Sequence, residues 1–200
     1  DLPELIPVDA IVLKKLVESD QIMDLTEVFN KYASPLTKEI MNQDGGTGFK
    51  SATFNKKLMA IPNTGSAMDG TPLLFVRTDW LKKMNLAEPK TMDDVMNIAK
   101  AFATQDPDGN GKADTVGMAV DKNLWGGFGT LEGFFNGFHS YPTIWVKDAS
   151  GKLVYGGIQP ETKTALGKLQ EMYKNGVIDQ EFGVKDFGKI SESAASGKLG

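Results

Sequence analysis

The spacing of apolar residues changes several times along the chain, and each change marks an element. Leu5, Ile6 and Val8 form a short apolar run among prolines, which predicts a buried strand end. From Ala10 to Glu18, Val12, Leu13, Leu16 and Val17 recur at helical spacing. Asp24 with Glu27 reads as a capping-box-like start, Asp standing in for Ser or Thr, to a helix carrying Val28, Phe29 and Tyr32. "GGTG" at 45–48 reads as a flexible loop, and "KLMAIP" as a strand closed by Pro62. "NTGSAMDGT" at 63–71 is rich in turn residues and lies between two strand signals, as a linker or hinge would. "PLLFVRT" predicts a buried strand and "DWLKKM" a short helix after it. Thr91 caps a helix with Val95, Met96, Ala99 and Phe102 on one face and Asp94 at its third position. "VGMAV" reads as a strand, and "TIWVKDASGKLVY" as a hairpin turning at Asp148 to Gly151. Pro160 to Lys174 is an amphipathic helix with Leu166, Leu169, Met172 and Tyr173 inward and Gly176 as its C-cap. Strands and helices alternate through most of the chain without an internal repeat, which predicts an α/β fold.

Composition narrows the picture. The 200 residues are 40% hydrophobic and 24% charged, enough for a globular core. A net charge of −4 argues against nucleic acid and anionic membrane surfaces as partners, because both require a basic face. The absence of cysteine removes disulfides, thiolate zinc sites and cysteine nucleophiles. No apolar run reaches the roughly 18 residues of a membrane span. The opening "DLPELIPVDA" and the closing "SGKLG" read as cut from a longer chain, so the lack of a signal peptide carries no information about location.

The densest chemistry lies in "DPDGNGKADTVG", residues 106–117. With Asp106 at position one of a twelve-residue calcium loop, Asp108 falls at three, Asn110 at five, Gly111 at the turn position six and Asp114 at nine. Lys112, at seven, would offer its backbone carbonyl. Position twelve departs from the pattern: Gly117 stands where a bidentate Glu belongs, and a strand follows in place of a helix. Thr115 or water would then have to complete the shell. The expectation is a structural calcium site, an ion turning clustered carboxylates from mutual repulsion into a rigid loop. The alternative is a solvated Asp/Gly turn.

Enzyme signatures are thin. His139 is the single histidine, with no G-x-S-x-G nearby, and neither "GGTG" nor "GGFG" matches a phosphate loop. A glycosidase-type carboxylate pair stays open, since sequence spacing does not fix spatial spacing. Aromatics crowd residues 125–145: Trp125, Phe128, Phe134, Phe135, Phe138, Tyr141 and Trp145. Such rings stack on the C–H faces of sugars. Leu131, Phe134, Phe135 and Phe138 have helical spacing and suit a core. Trp125, in the loop "NLWGGFG", is a candidate for lining a site, and Trp145, on a hairpin arm, reads as structural.

"KLMAIPNTG", "LLFVRTDWLKKMNLAEPKTMDDV", "DPDGNGKADTVGMAV", "LVYGGIQPETKTALGKLQEMYKNGVIDQEF" and the closing "ASGKLG" occur in an order that resembles bacterial extracellular solute-binding proteins of ABC importers, of the lipoprotein, oligosaccharide-binding kind. The segment Arg77 to Leu81 and the acidic loop, similar to the calcium loop of alginate-binding relatives, carry the resemblance most strongly. It implies a periplasmic-binding-protein-like type II architecture, two α/β lobes with the ligand between them. Residues 1–62 would be part of the first lobe, 63–71 a hinge crossing and 72–200 most of the second lobe. It implies ligand contacts at Asp9, Asn63, Asp69, Asn123 and Trp125, with Arg77 and Trp80 structural. It further implies a non-catalytic, monomeric receptor that hands an oligosaccharide or another small solute to a membrane permease, secreted and lipid-anchored or periplasmic. Two other classes stay open: a carbohydrate-active enzyme or accessory carbohydrate-binding domain, and a calcium-stabilised adhesion domain.

Overall fold

Helix starts follow local capping chemistry. In the computed structural model, which describes residues 3–65 and 70–200, the Asp9 side chain accepts the N–H groups of Ile11 and Val12 at 2.9 and 2.8 Å and so opens α1 (Ala10–Glu18). Ser34 does the same for α3 (Pro35–Asn42), a helix with Pro at its first turn that apolar spacing alone did not suggest. Between them, α2 (Thr26–Tyr32) starts without the expected capping box. Asp24 instead accepts the N–H and hydroxyl of Thr26, and Leu25 is the cap residue. The chain forms two compact units, Asp1–Thr71 and Pro72–Gly200.

In the first unit, Leu13, Ala52 and Leu58 are buried beneath Val17, Ile22, Leu25, Phe29, Phe49 and Phe54, with the Phe29 and Phe49 rings edge-to-face at 5.3 Å. Three expectations are corrected here. Leu5, Ile6 and Val8 form no strand and are exposed, because among the described residues no neighbouring strand pairs with their backbone. The "GGTG" segment is a loop only at Gly45 and Gly46. Thr47 and Gly48 already belong to α4 (Thr47–Ala52), whose first N–H groups are held by the Asp44 carboxylate. "KLMAIP" contributes only β2 (Lys57–Leu58), paired with β1 (Thr53–Phe54) through a two-residue turn with positive φ at Asn55 and Lys56.

The second unit holds α5 (Thr78–Lys83), α6 (Met92–Thr104), α7 (Glu132–Gly137), the antiparallel hairpin of β3 (Trp145–Lys147) and β4 (Leu153–Tyr155), α8 (Pro160–Lys174) and α9 (Phe187–Ala195). The capping box of α6 forms as its sequence implies, Thr91 Oγ1 accepting from Asp94 N–H at 3.1 Å while Asp94 accepts from Thr91 N–H at 2.9 Å. "VGMAV" is extended but makes only two isolated parallel bridges, Val116 to Leu199 and Met118 to Ile178. These parallel pairings, each reached through a helix, are the α/β signature of the unit. One core gathers Ala99, Val120, Leu131, Phe134, Phe135, Ala165, Leu169, Met172, Val177 and Ile178, and a smaller one Trp80, Leu81, Ile98 and Phe102. Leu169 and Met172 face inward on α8 as expected, whereas Leu166 and Tyr173 are exposed.

"PLLFVRT" departs furthest from its reading. Residues 72–77 make no ladder among the described residues, and Leu73, Leu74 and Phe75 are exposed. Only Val76 packs inward, on the cluster of Trp80 and Phe102. An apolar run states that a segment would favour burial; it does not supply the neighbouring strands. Arg77 lies at the N-cap of α5, not inside a strand. Its guanidinium stacks 4.5 Å over the fully buried Trp80 and binds Asp79 bidentately at 2.8 and 2.5 Å, a structural role for both residues.

Candidate functional site: an aromatic row beside a closed glycine loop

Residues 121–131 fold into a loop closed by its own hydrogen bonds. Asp121 N–H donates to Gly129 O at 2.7 Å, and Leu131 N–H to Leu124 O at 2.9 Å. The buried Asp121 carboxylate accepts both the backbone N–H and the side-chain amide of Asn123 at 2.8 Å. Leu124, Gly126, Gly127 and Gly129 all have positive φ, which fits the glycine content of the segment. A β-carbon at Gly129 would stand 2.9 Å from Ile190 Cδ1, so the loop lies directly on α9. Glu132, in the first turn of α7, accepts Gly126 N–H at 2.5 Å through Oε1. Burial pushes its carboxyl up, but the Thr130 hydroxyl and the Gly126 and Glu132 N–H groups outweigh that and hold it below the usual glutamate range.

The loop carries Phe128 to the centre of an open aromatic row. Phe75 lies 6.3 Å from it on one side and Phe187 5.9 Å on the other, centroid to centroid. These rings are 70%, 39% and 60% exposed in chain order, whereas the neighbouring Phe134 and Phe135 are buried in the core. Lys122 pairs with Asp186 at 3.6 Å, and the Asp186 side chain caps α9 next to Phe187. The N–H of Lys189, then Lys122, hold the Asp186 carboxyl below its ordinary range. The result is an apolar strip with fixed charges and amides nearby, suited to a ligand with both C–H faces and hydroxyls.

The expected ligand residues fall in both units, and each is described where it stands. Asn123 is exposed in the 121–131 loop, its amide nitrogen committed to Asp121. Trp125 is half-buried, packed on the core 5.4 Å from Phe135. Asp9, in the first unit, caps α1. Asn63 is exposed, and Asp69 lies outside the described residues. Phe75 and Phe187 had no distinguishing signal in the sequence. Phe75 sits in a run that reads as buried strand, and Phe187 is one more apolar residue following a helix cap.

The acidic loop is tightly curled on its own hydrogen bonds. Asp106 Oδ1 accepts from Gly109 and Asn110 N–H and Oδ2 from Gly111 N–H, all at 3.0 Å, with Gly109 and Gly111 at positive φ. A hydrogen bond shared with the Asp108 carboxyl, and then the Gly111 N–H, hold Asp106 below the usual aspartate range. Asn110 Nδ2 bridges Asp108 Oδ2 at 2.7 Å and Asp114 Oδ1 at 3.1 Å, while Lys112 N–H donates to Asn110 Oδ1. The Asn110 amide and Lys198, 3.3 Å away, depress the Asp114 carboxyl. Among the described residues no three acidic or histidine side chains converge as a metal-holding group. Thr115 does not complete a shell: it is buried and its hydroxyl donates to Phe102 O at 2.7 Å. Gly117 has no room for the missing glutamate, since a β-carbon there would lie 1.9 Å from Ala99 O on α6.

The model of the family described as bacterial extracellular solute-binding protein matches residues 1–199. The chain belongs to that family. Among relatives, it is 33% identical over 175 residues to lipoprotein LipO of Bacillus subtilis (strain 168), covering 84% of this chain and 33% of LipO. It is 36% identical over 129 residues to the polygalacturonan/rhamnogalacturonan-binding protein YtcQ of the same organism, covering 64% of this chain and 25% of YtcQ. The solved structure of the Streptococcus pneumoniae ABC-transporter substrate-binding protein FusA with kestose superposes with TM-score 0.74 at 22% identity, over 96% of this chain and 40% of FusA. Another FusA structure, described as an EF-hand mutant with fructo-nystose, superposes with TM-score 0.71 at 21% identity, over 96% of this chain and 40% of that one. The family's α/β, type II solute-binding fold is therefore the fold of this chain, which spans a quarter to two fifths of the length of these relatives.

Proposed function

We propose that this chain supplies part of the sugar-holding surface of the substrate-binding component of an ABC importer. The observation that carries the reading is the open row of Phe75, Phe128 and Phe187 beside the closed 121–131 loop. Stacked rings of this kind accept the C–H faces of an oligosaccharide, while Asn123, Lys122 and Asp186 offer polar contacts to its hydroxyls. The kestose complex of FusA and the polygalacturonan/rhamnogalacturonan binding of YtcQ support the same ligand class. In this reading the protein binds without turnover, passes its ligand to a permease, and works outside the membrane, lipid-anchored or periplasmic.

Calcium is part of the proposal. Asp106, Asp108, Asn110 and Asp114 present oxygens on one curled segment, where the Asn110 amide now bridges two carboxylates, and these residues would hold the ion. Its contribution when bound is charge neutralisation that stiffens the loop.

The test is a thermal-shift panel on the whole protein in calcium, with kestose, oligogalacturonates and rhamnogalacturonan fragments, each followed by chromatography of the glycan. A ligand that binds only the folded state raises the melting temperature. A rise with an intact glycan supports a receptor. A rise with breakdown makes the protein an enzyme. No rise with any glycan removes sugars as the ligand class.

A further inference from the structure

Three Asn–Gly pairs occur in the chain, at Asn110, Asn136 and Asn175. In an Asn–Gly pair the glycine nitrogen can reach the asparagine side-chain carbon, because glycine has no β-carbon to crowd the approach. The fold gives the three pairs different surroundings. Asn136–Gly137 lies within α7, and a β-carbon at Gly137 would be 2.3 Å from Met92 Sδ, so the ring closure has little room. At Asn175, the C-cap of α8, the Gly176 N–H is committed to Tyr173 O at 3.0 Å. Among the described residues, neither of these two side-chain amides receives a donor on its oxygen.

Asn110–Gly111 differs from Asn136–Gly137 in its room, and from both pairs in the donor that its side-chain oxygen receives. Asn110 and Gly111 are exposed and the space around a β-carbon at Gly111 is open, as is also true of Asn175 and Gly176. Lys112 N–H donates to Asn110 Oδ1 at 2.7 Å, which draws electrons from Cγ and sits where an oxyanion would form. The Gly111 N–H is bonded to Asp106 Oδ2 at 3.0 Å, as the Gly176 N–H is to Tyr173 O, so the Lys112 donor is what sets Asn110 apart.

We propose that Asn110 is a site of spontaneous deamidation, selected by this local geometry over the other two pairs. The Gly111 nitrogen gives up its proton to solvent base and bonds to Asn110 Cγ. The Cγ–Nδ2 bond breaks, and the NH2 group leaves as ammonia after taking one proton from water, which balances the proton lost from Gly111. Water then opens the succinimide at either carbonyl, leaving aspartate or isoaspartate. One water is consumed and one ammonia released.

The product is a different loop. Asn110 Nδ2 is the donor that joins Asp108 to Asp114, and deamidation replaces it with another carboxylate. Four like charges then face one another without that bridge, and the isoaspartyl form also lengthens the backbone. The loop ages from one that holds itself to one that repels itself.

The test ages the whole protein in mildly alkaline buffer with chelator and follows each site by peptide mapping and mass spectrometry. Conversion at Asn110 is expected to run roughly tenfold ahead of Asn136 and Asn175, a factor one polarising donor can supply. In denaturant the three rates should draw together. Equal rates in the folded protein, or the same Asn110 lead in denaturant, would overturn the proposal. The encoded variant Asn110→Asp tests the consequence: its melting temperature in chelator should fall below wild type, and aged wild type should move the same way. An unchanged or raised value would overturn the bridging role. Chelator keeps these outcomes independent of the calcium and sugar readings.

Discussion

Gly117 shows how much one missing side chain can fix. It lets α6 approach the extended 116–120 segment so closely that a methyl group would overlap the Ala99 carbonyl. Gly117→Ala is therefore expected to destabilise the second unit by about 3 kcal/mol, the upper part of the overpacking range, because backbone and not a flexible side chain must move. A urea melt followed by tryptophan fluorescence would check this. Asp79 illustrates a weaker residue-scale effect. The Arg77 hydrogen bond holds its carboxyl at about 2 against an ordinary 3.8. A carboxyl depressed by folding stabilises above its unfolded pKa, and that stabilisation is lost as pH falls through the folded value. Wild type should thus melt higher than Asp79→Asn near neutrality, with the gap closing between about pH 4 and pH 2. Asp79 is exposed, so added salt should narrow the gap at neutral pH too. A gap at pH 2 as wide as the one near neutrality would mean the aspartate acts through something other than its charge.

At the scale of elements, what the sequence revealed depended on whether the cause was local. The Thr91–Asp94 capping box, the Asp148–Gly151 hairpin turn and the span of α8 follow from chemistry within a few residues, and all three appear where the spacing places them. Thr91→Ala should cost about 1 kcal/mol and Thr91→Ser little, because only the hydroxyl acceptor matters to the Asp94 N–H. Thermal melts of both variants would check this. Strands behaved otherwise. Residues 72–77 and 5–8 have strand-like composition, yet a strand exists only with a partner, which composition cannot name. The acidic loop lies between these cases. Its spacing was legible, but the obstruction at Gly117 and the inward turn of Thr115 depend on α6, a tertiary neighbour. With calcium bound as proposed, Asp108→Ala should lower the melting temperature in calcium more than in chelator and leave ligand preference unchanged. Identical melts of mutant and wild type in both conditions would exclude a cation role for that carboxylate.

At the scale of the whole molecule, membership of the solute-binding family fixes the fold, while the ligand must be read from what this chain exposes. Of the residues named by resemblance, Asp9 caps a helix and Trp125 packs on the core. The aromatic row was not legible because Phe75, Phe128 and Phe187 come from three distant segments that only the fold of the second unit brings together. This gives a discriminating experiment. Phe128 is central and least exposed of the three, so its replacement should remove the most stacked area. Phe128→Ala in the whole protein is expected to weaken binding of the best glycan in the panel by roughly tenfold, about 1.4 kcal/mol. Phe75→Ala and Phe187→Ala should have smaller effects of the same sign. Trp145→Ala is the control: its ring is as open as theirs but pairs with Tyr155 on the β3–β4 hairpin and not with the row. Isothermal titration would measure all four, with melting temperatures recorded to separate lost binding from lost folding. If Trp145→Ala weakened binding and Phe128→Ala did not, the sugar surface would belong to the hairpin. If every variant bound as wild type does, the row would not contribute to ligand recognition.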